Sequence, residues 1–134
     1  MRNMHSLFYS WNTPALSSFN GDISKWDVSR VTDMSIMFSG TQFFNGDISD
    51  WGVSRVTDMG GMFIHASSFN GNISKWDVSK VANMVNMFYK AKSFAQTLCG
   101  SWTTSTANKE GMFEGSSGRI CTASISKRTI NLTN

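Results

Sequence analysis

The sequence predicts a repeat solenoid whose 25-residue unit holds a short strand, a tight corner, a helical turn and a second corner. Three observations predict it. The string from Phe44 to Phe63 recurs almost unchanged 25 residues earlier, from Phe19 to Phe38, and 25 residues later, from Phe69 to Phe88. Two local periods share each copy: Trp51-x-Val53 alternates like a strand, whereas Met59-x-x-Met62-Phe63 has the i, i+3, i+4 spacing of a helical turn. One copy is also too small to cover its own apolar side chains, so copies must bury them against one another.

Aligning the full repeats 19–43, 44–68 and 69–93 separates core from surface. Apolar in every copy are the columns of Phe44, Ile48, Trp51, Val53, Val56, Met59, Met62 and Phe63. Gly60-Gly61 keeps the helical turn short, because glycine costs about 1 kcal/mol per helical position. Asn45-Gly46-Asp47 is turn chemistry. The Asn20/Asn45/Asn70 column reads as an inward ladder, each amide satisfying backbone groups of the neighbouring repeat.

The run I-S-K-W-D-V-S-R-V-T-D-M-S-I-M-F, from Ile23 to Phe38, closely resembles the bacterial-surface-protein (BspA-like) repeats. Ile23-x-x-Trp26-x-Val28 sits where the L-x-x-L-x-L strand motif of leucine-rich repeats sits, and Val56-Thr57 through Phe69 resembles their V-T-x-I…A-F run. The resemblance covers about residues 19–94 strongly and the flanks weakly. It implies a leucine-rich-repeat-like right-handed coil with a parallel sheet, in a module used for adhesion or protein binding at a cell surface.

The N-terminal 1–18 reads as a partial repeat and cap. Met4-x-x-Leu7-Phe8 matches Met34-x-x-Met37-Phe38, but about five extra residues fall around Trp11–Pro14 before the next Phe column. Trp11 is expected to cap Phe19, with a binding aromatic as the alternative. After Phe94 the pattern decays. Met112-Phe113 keeps step with Met87-Phe88, Trp102 comes one residue late, and Ile130-x-Leu132 is expected to be a closing strand. Residues 94–134 are thus a degenerate repeat and C-terminal cap, and 1–134 one domain.

Cys99 and Cys121 are the only cysteines, and Leu98-Cys99 and Ile120-Cys121 occupy equivalent columns. Adjacent parallel strands lie about 4.8 Å apart, inside the span a disulfide bridges. A disulfide is expected, with two separate buried thiols as the alternative. A bond would favour an extracellular, cell-surface or other oxidising setting. No apolar run is long enough for a membrane span, and the start shows no signal-peptide apolar region. Asn72-Ile73-Ser74 and Asn131-Leu132-Thr133 are glycosylation sequons.

The outward columns are charged: Lys25/Asp50/Lys75, Asp27/Gly52/Asp77 and Arg30/Arg55/Lys80. The candidate binding face is therefore the strand face, Lys25, Asp27, Arg30, Asp50, Arg55, Lys75, Asp77 and Lys80, whose side chains are expected to project from alternate strand positions in rows suited to an extended ligand. The alternative face lies around Ser39–Gln42, His65–Ser68 and Lys90–Ser93, where the repeats diverge most. The expectation is a non-catalytic interaction module for a protein or cell-surface ligand. A scaffold subunit among neighbours is the alternative, and an ice-binding solenoid a third. His5 and His65 lie in different repeats without partnered carboxylates, so no enzyme, cofactor or metal is expected. Stacked Asp columns suggest calcium, but Asp22/Asp47 becomes Asn72 and Asp33/Asp58 becomes Asn83. Residues 19–93 balance seven Lys and Arg against seven Asp, which leaves no basic stripe for nucleic acid.

Overall fold

The computed structural model describes residues 2–11 and 13–122. The 25-residue period of the sequence is written into its hydrogen bonds. Parallel bridges join Asn3 to Asp33, Asp33 to Asp58, Asp58 to Asn83 and Asn83 to Asn108. Around each bridge, alternate N–H groups of one repeat donate to carbonyls of the next: Met34 to Asp58, Ile36 to Gly60, Phe38 to Met62 and Gly40 to Ile64. The same four rungs recur one repeat later, from Met59, Gly61, Phe63 and His65.

Within a repeat, the remaining N–H groups close tight turns onto carbonyls three residues back. Trp51 donates to Ile48, Val56 to Val53, Met62 to Met59 and Phe69 to Ala66. Regular elements are consequently few among the described residues: α1 (Pro14–Ser17), β1 (Thr97–Leu98), α2 (Ser101–Thr104) and β2 (Arg119–Ile120). The Met59-x-x-Met62-Phe63 spacing produces chained turns instead of a helical turn. Ile36, Gly61, Asn86 and Gly111 stand at positive φ one after another in the same column, which reverses the chain before an α-helix can propagate. Trp51-x-Val53 carries none of the parallel bridges; those fall on the Asp33/Asp58/Asn83 column.

The core is two columns of stacked rings walled by methionine and valine. Phe8, Phe38, Phe63, Phe88 and Phe113 stack with centroids 5.4, 5.4, 5.4 and 5.5 Å apart. Phe19, Phe44, Phe69 and Phe94 form the second column at 5.8, 6.0 and 6.0 Å. The two columns touch across each repeat boundary, at 4.3 Å for Phe38 and Phe44. Gly46 is needed here because a Cβ on it would come within 2.8 Å of the Phe44 ring.

The tryptophan column separates its first member from the rest. Trp51 and Trp76 are 4% and 2% exposed, and their indoles donate to the Ile23 and Ile48 carbonyls of the preceding repeat, at 3.1 and 3.0 Å. Trp26 is 40% exposed although the pattern places it in the core. Among the described residues, 2–11 match only the later half of a repeat, and none of them gives the Trp26 indole the counterpart of the Ile23 and Ile48 carbonyls. Trp102 is buried despite its late position, donating to the Ile73 carbonyl. The extra residue is taken up by Gly100, at φ 64°, and by α2.

At the N-terminal side the bridge from Asn3 to Asp33 spans thirty residues, and the five extra ones are spent on the excursion that contains α1. Trp11 does not cap Phe19; Phe8 covers it, stacked at 4.2 Å. At the other end β1 and β2 pair in parallel, Leu98 opposite Ile120. That register sets Cys99 beside Cys121, with Cα atoms 4.9 Å apart, and they are joined by a disulfide. The expected closing strand at Ile130–Leu132 and the sequon at Asn131 lie outside the described residues.

Candidate functional site

All eight residues of the charged columns are exposed: Lys25, Asp27, Arg30, Asp50, Arg55, Lys75, Asp77 and Lys80. The reason is turn geometry, not strand alternation. Trp26 closes a turn onto Ile23 and Val31 closes one onto Val28, so Lys25 and Arg30 stand at the tips. The same closures recur from Trp51 to Ile48 and from Val56 to Val53, and put Asp50 and Arg55 in the same rows.

Two of the eight also hold the backbone. Asp27 Oδ1 accepts the Ser29 N–H at 3.0 Å, and Asp77 Oδ1 accepts the Ser79 N–H and hydroxyl at 3.0 and 2.6 Å. These serine hydrogen bonds hold both carboxyls below the ordinary carboxylate range. Asp22, Asp47 and Asn72 do the same for Ser24, Ser49 and Ser74. Asp33, Asp58, Asn83 and Asn108 repeat it beside the ladder. Only one side-chain oxygen is used each time, which is why Asp and Asn alternate freely in these columns. Among the described residues no group of three or more His, Cys, Asp or Glu is placed to hold a metal ion.

The asparagine column forms its ladder. Asn20, Asn45 and Asn70 Oδ1 accept the N–H groups of Asn45, Asn70 and Ala95 at 3.0, 2.9 and 2.9 Å. It runs along the surface, however, not inward, since all three side chains are exposed. Beside it an open cleft of about 400 Å³ runs between two repeats, lined by Asn45, Asp47, Asn70, Asn72 and Lys75 among others. Lys75 is the candidate residue that lines this cleft.

A second cavity, of about 370 Å³, lies on the alternative face, lined by Ser10, Trp11, Ser17, Gly40, Gln42 and His65. Trp11 is 55% exposed, yet its indole N–H donates to Ser39 Oγ at 2.9 Å and its ring meets His65 nearly edge-on at 5.1 Å. Gly40, at φ 80°, leaves the room: a Cβ there would come within 2.5 Å of Ser10 Oγ and 3.5 Å of the indole. Burial, and then the charges of Lys90 and Lys92, push the His65 imidazole below its ordinary value, so it is neutral at neutral pH. Phe43, the one phenylalanine outside the stacked columns, is 59% exposed next to Gln42, and its N–H donates to the Ser17 carbonyl.

Periodicity could not show this cavity, because half of its lining comes from the stretch that interrupts the period. That interruption, with the only proline at Pro14, was the available signal. A third patch joins the exposed Leu7, Trp26 and Asp27 over the buried Met4.

No helix among the described residues is long and apolar enough to cross a membrane. The disulfide is compatible with an oxidising compartment. No curated protein matches the chain. No solved structure matches it either. A family model described as "Mycoplasma protein of unknown function, DUF285" matches residues 2–124, nearly the whole length, and the chain belongs to that family.

Proposed function

We propose that the chain is a non-catalytic interaction module: a leucine-rich-repeat-like right-handed solenoid of the BspA-like surface type, displayed outside the cell or in another oxidising compartment. Its charged turn tips meet an extended protein or cell-surface ligand. The observation that carries this reading is the recurrence of the same exposed side chains on successive repeats, held in step by the inter-repeat hydrogen bonds. Rows of this kind suit a repetitive ligand, because successive contacts are the same and none of them forms a deep pocket.

The test is charge reversal of Arg30, Arg55 and Lys80 together, read in a cell-binding assay across a salt series. Weaker binding with a shallower salt dependence and an unchanged melting transition is expected, since exposed charges contribute little to stability. Unchanged affinity would remove the turn tips from the site.

The Met4, Leu7 and Trp26 patch favours a second reading, a structural subunit packed on a neighbour. Co-purifying subunits released by Trp26→Ala would support it.

A further inference from the structure

We propose that the cavity beside the inserted segment binds a neutral saccharide, its ring stacked on Trp11 and its hydroxyls held by Ser17, Gln42 and His65. This goes beyond the reading of the charged columns and does not depend on it.

The argument starts from where the cavity comes from. The turns of the three full repeats recur one above another, and repeated turns make rows. The excursion holding Trp11 and Ser17 occurs once and packs against two successive repeats that contribute Gly40, Gln42 and His65. The result is a concave site of about 370 Å³ with an aromatic wall and a polar rim, the general form of a small-molecule site.

Its chemistry narrows the ligand. Among the described residues no charged side chain lines it, so none offers a phosphate, carboxylate or ammonium ligand a counter-ion at the wall. The indole is held by its bond to Ser39 Oγ and by His65, yet Trp11 as a residue is more than half exposed. A fixed, exposed indole offers a π-face to the C–H side of a sugar ring. The rim groups are polar and uncharged: an amide at Gln42 and a neutral imidazole at His65, each able to donate and accept, and at Ser17 a hydroxyl that donates to the Pro14 carbonyl at 2.6 Å and offers its oxygen as an acceptor. Vicinal sugar hydroxyls have the same dual character. The Gln42 amide makes no hydrogen bond among the described residues, so it is available. An extended peptide is less well served. It would need backbone partners, and the N–H groups of Gly40 and His65 are committed to Ile64 and Tyr89.

The test is saturation-transfer difference NMR on the whole chain. The probes are neutral mono- and trisaccharides of glucose, galactose and N-acetylglucosamine, with a proline-rich peptide as the competing ligand class. At least one saccharide is expected to receive saturation on its ring C–H protons. Trp11→Ala and Gln42→Ala should each weaken that binding about tenfold or more. Trp26→Ala, at the other exposed tryptophan, and the Arg30, Arg55 and Lys80 reversal should leave it unchanged. Thermal melts accompany each variant, and Gln42→Ala, at an exposed side chain, decides the matter if Trp11→Ala melts early. No transfer to any saccharide, binding that survives Gln42→Ala, or binding of the peptide alone through Trp11 would overturn the proposal.

Discussion

Trp51 does two jobs that Trp26, in the same column, does not. It fills the space between repeats at 4% exposure, and its N–H satisfies the Ile23 carbonyl of the preceding one. Trp51→Ala is therefore expected to cost about 3–5 kcal/mol by denaturant titration, while Trp26→Ala costs far less. Equal losses would mean that the column is not packed as described. Gly52 offers the opposite case. It stands where Asp27 and Asp77 cap their turns, its φ lies outside the left-handed region, and a Cβ there meets nothing within 4 Å. Gly52→Asp should place a carboxylate over the Ser54 N–H and, by restricting the unfolded chain, stabilise by about 0.4–1 kcal/mol. A lower melting temperature in that variant would contradict the geometry.

The elements of this chain are turns, and each is closed by backbone bonds at its mouth and often by an Asx oxygen at its start. The short β1–β2 pair stands out because the repeat beneath it has lost its signature. Lys109 takes the place of a core methionine and turns its Nζ to the Ser105 and Ala107 carbonyls at 2.7 and 3.2 Å. The disulfide supports that weakened end, closing a loop across a sequence separation of 22. In the chain-entropy account a loop of this size contributes about 3 kcal/mol. Reduction should accordingly lower the melting transition, and thiol labelling of the denatured, unreduced chain should find neither Cys99 nor Cys121 free. Two labelled thiols in freshly isolated protein would remove both the bond and the inference to an oxidising compartment.

At the scale of the whole molecule, each repeat contacts mainly its neighbours, so stability should be close to a sum over repeats and their interfaces. Deleting residues 44–68 removes one full period and sets Phe38 and Met34 against the groups that Phe63 and Met59 meet now, Met87 and Asn83. That variant should keep one cooperative transition, with a smaller denaturant m-value in proportion to the surface lost. Deleting 44–66 shifts every column by two residues and should destroy cooperativity. If both deletions behave alike, the columns do not hold the molecule together.

The sequence by itself determined the period, the apolar columns and the turn-rich surface, because each follows from which side chains recur at a spacing of 25. It also suggested the cysteine pair, from the matching Leu98-Cys99 and Ile120-Cys121, while leaving two separate thiols open until the parallel register joined them. Backbone routing was decided by the tertiary structure. Met59-x-x-Met62-Phe63 is compatible with a helix, and only the bonds to the next repeat, with a left-handed residue at Gly61, Ile36 or Asn86, make it a chain of turns. Burial of the first column members was likewise decided by what lies beside them, which is why Trp26 is exposed and Trp51 is not. The cavity at Trp11 is the clearest case. Its residues lie as far apart as Ser10 and His65, and the excursion that brings them together follows no period. A pattern that repeats specifies what neighbours share; a site made once, by packing across an insertion, exists only after the chain has folded.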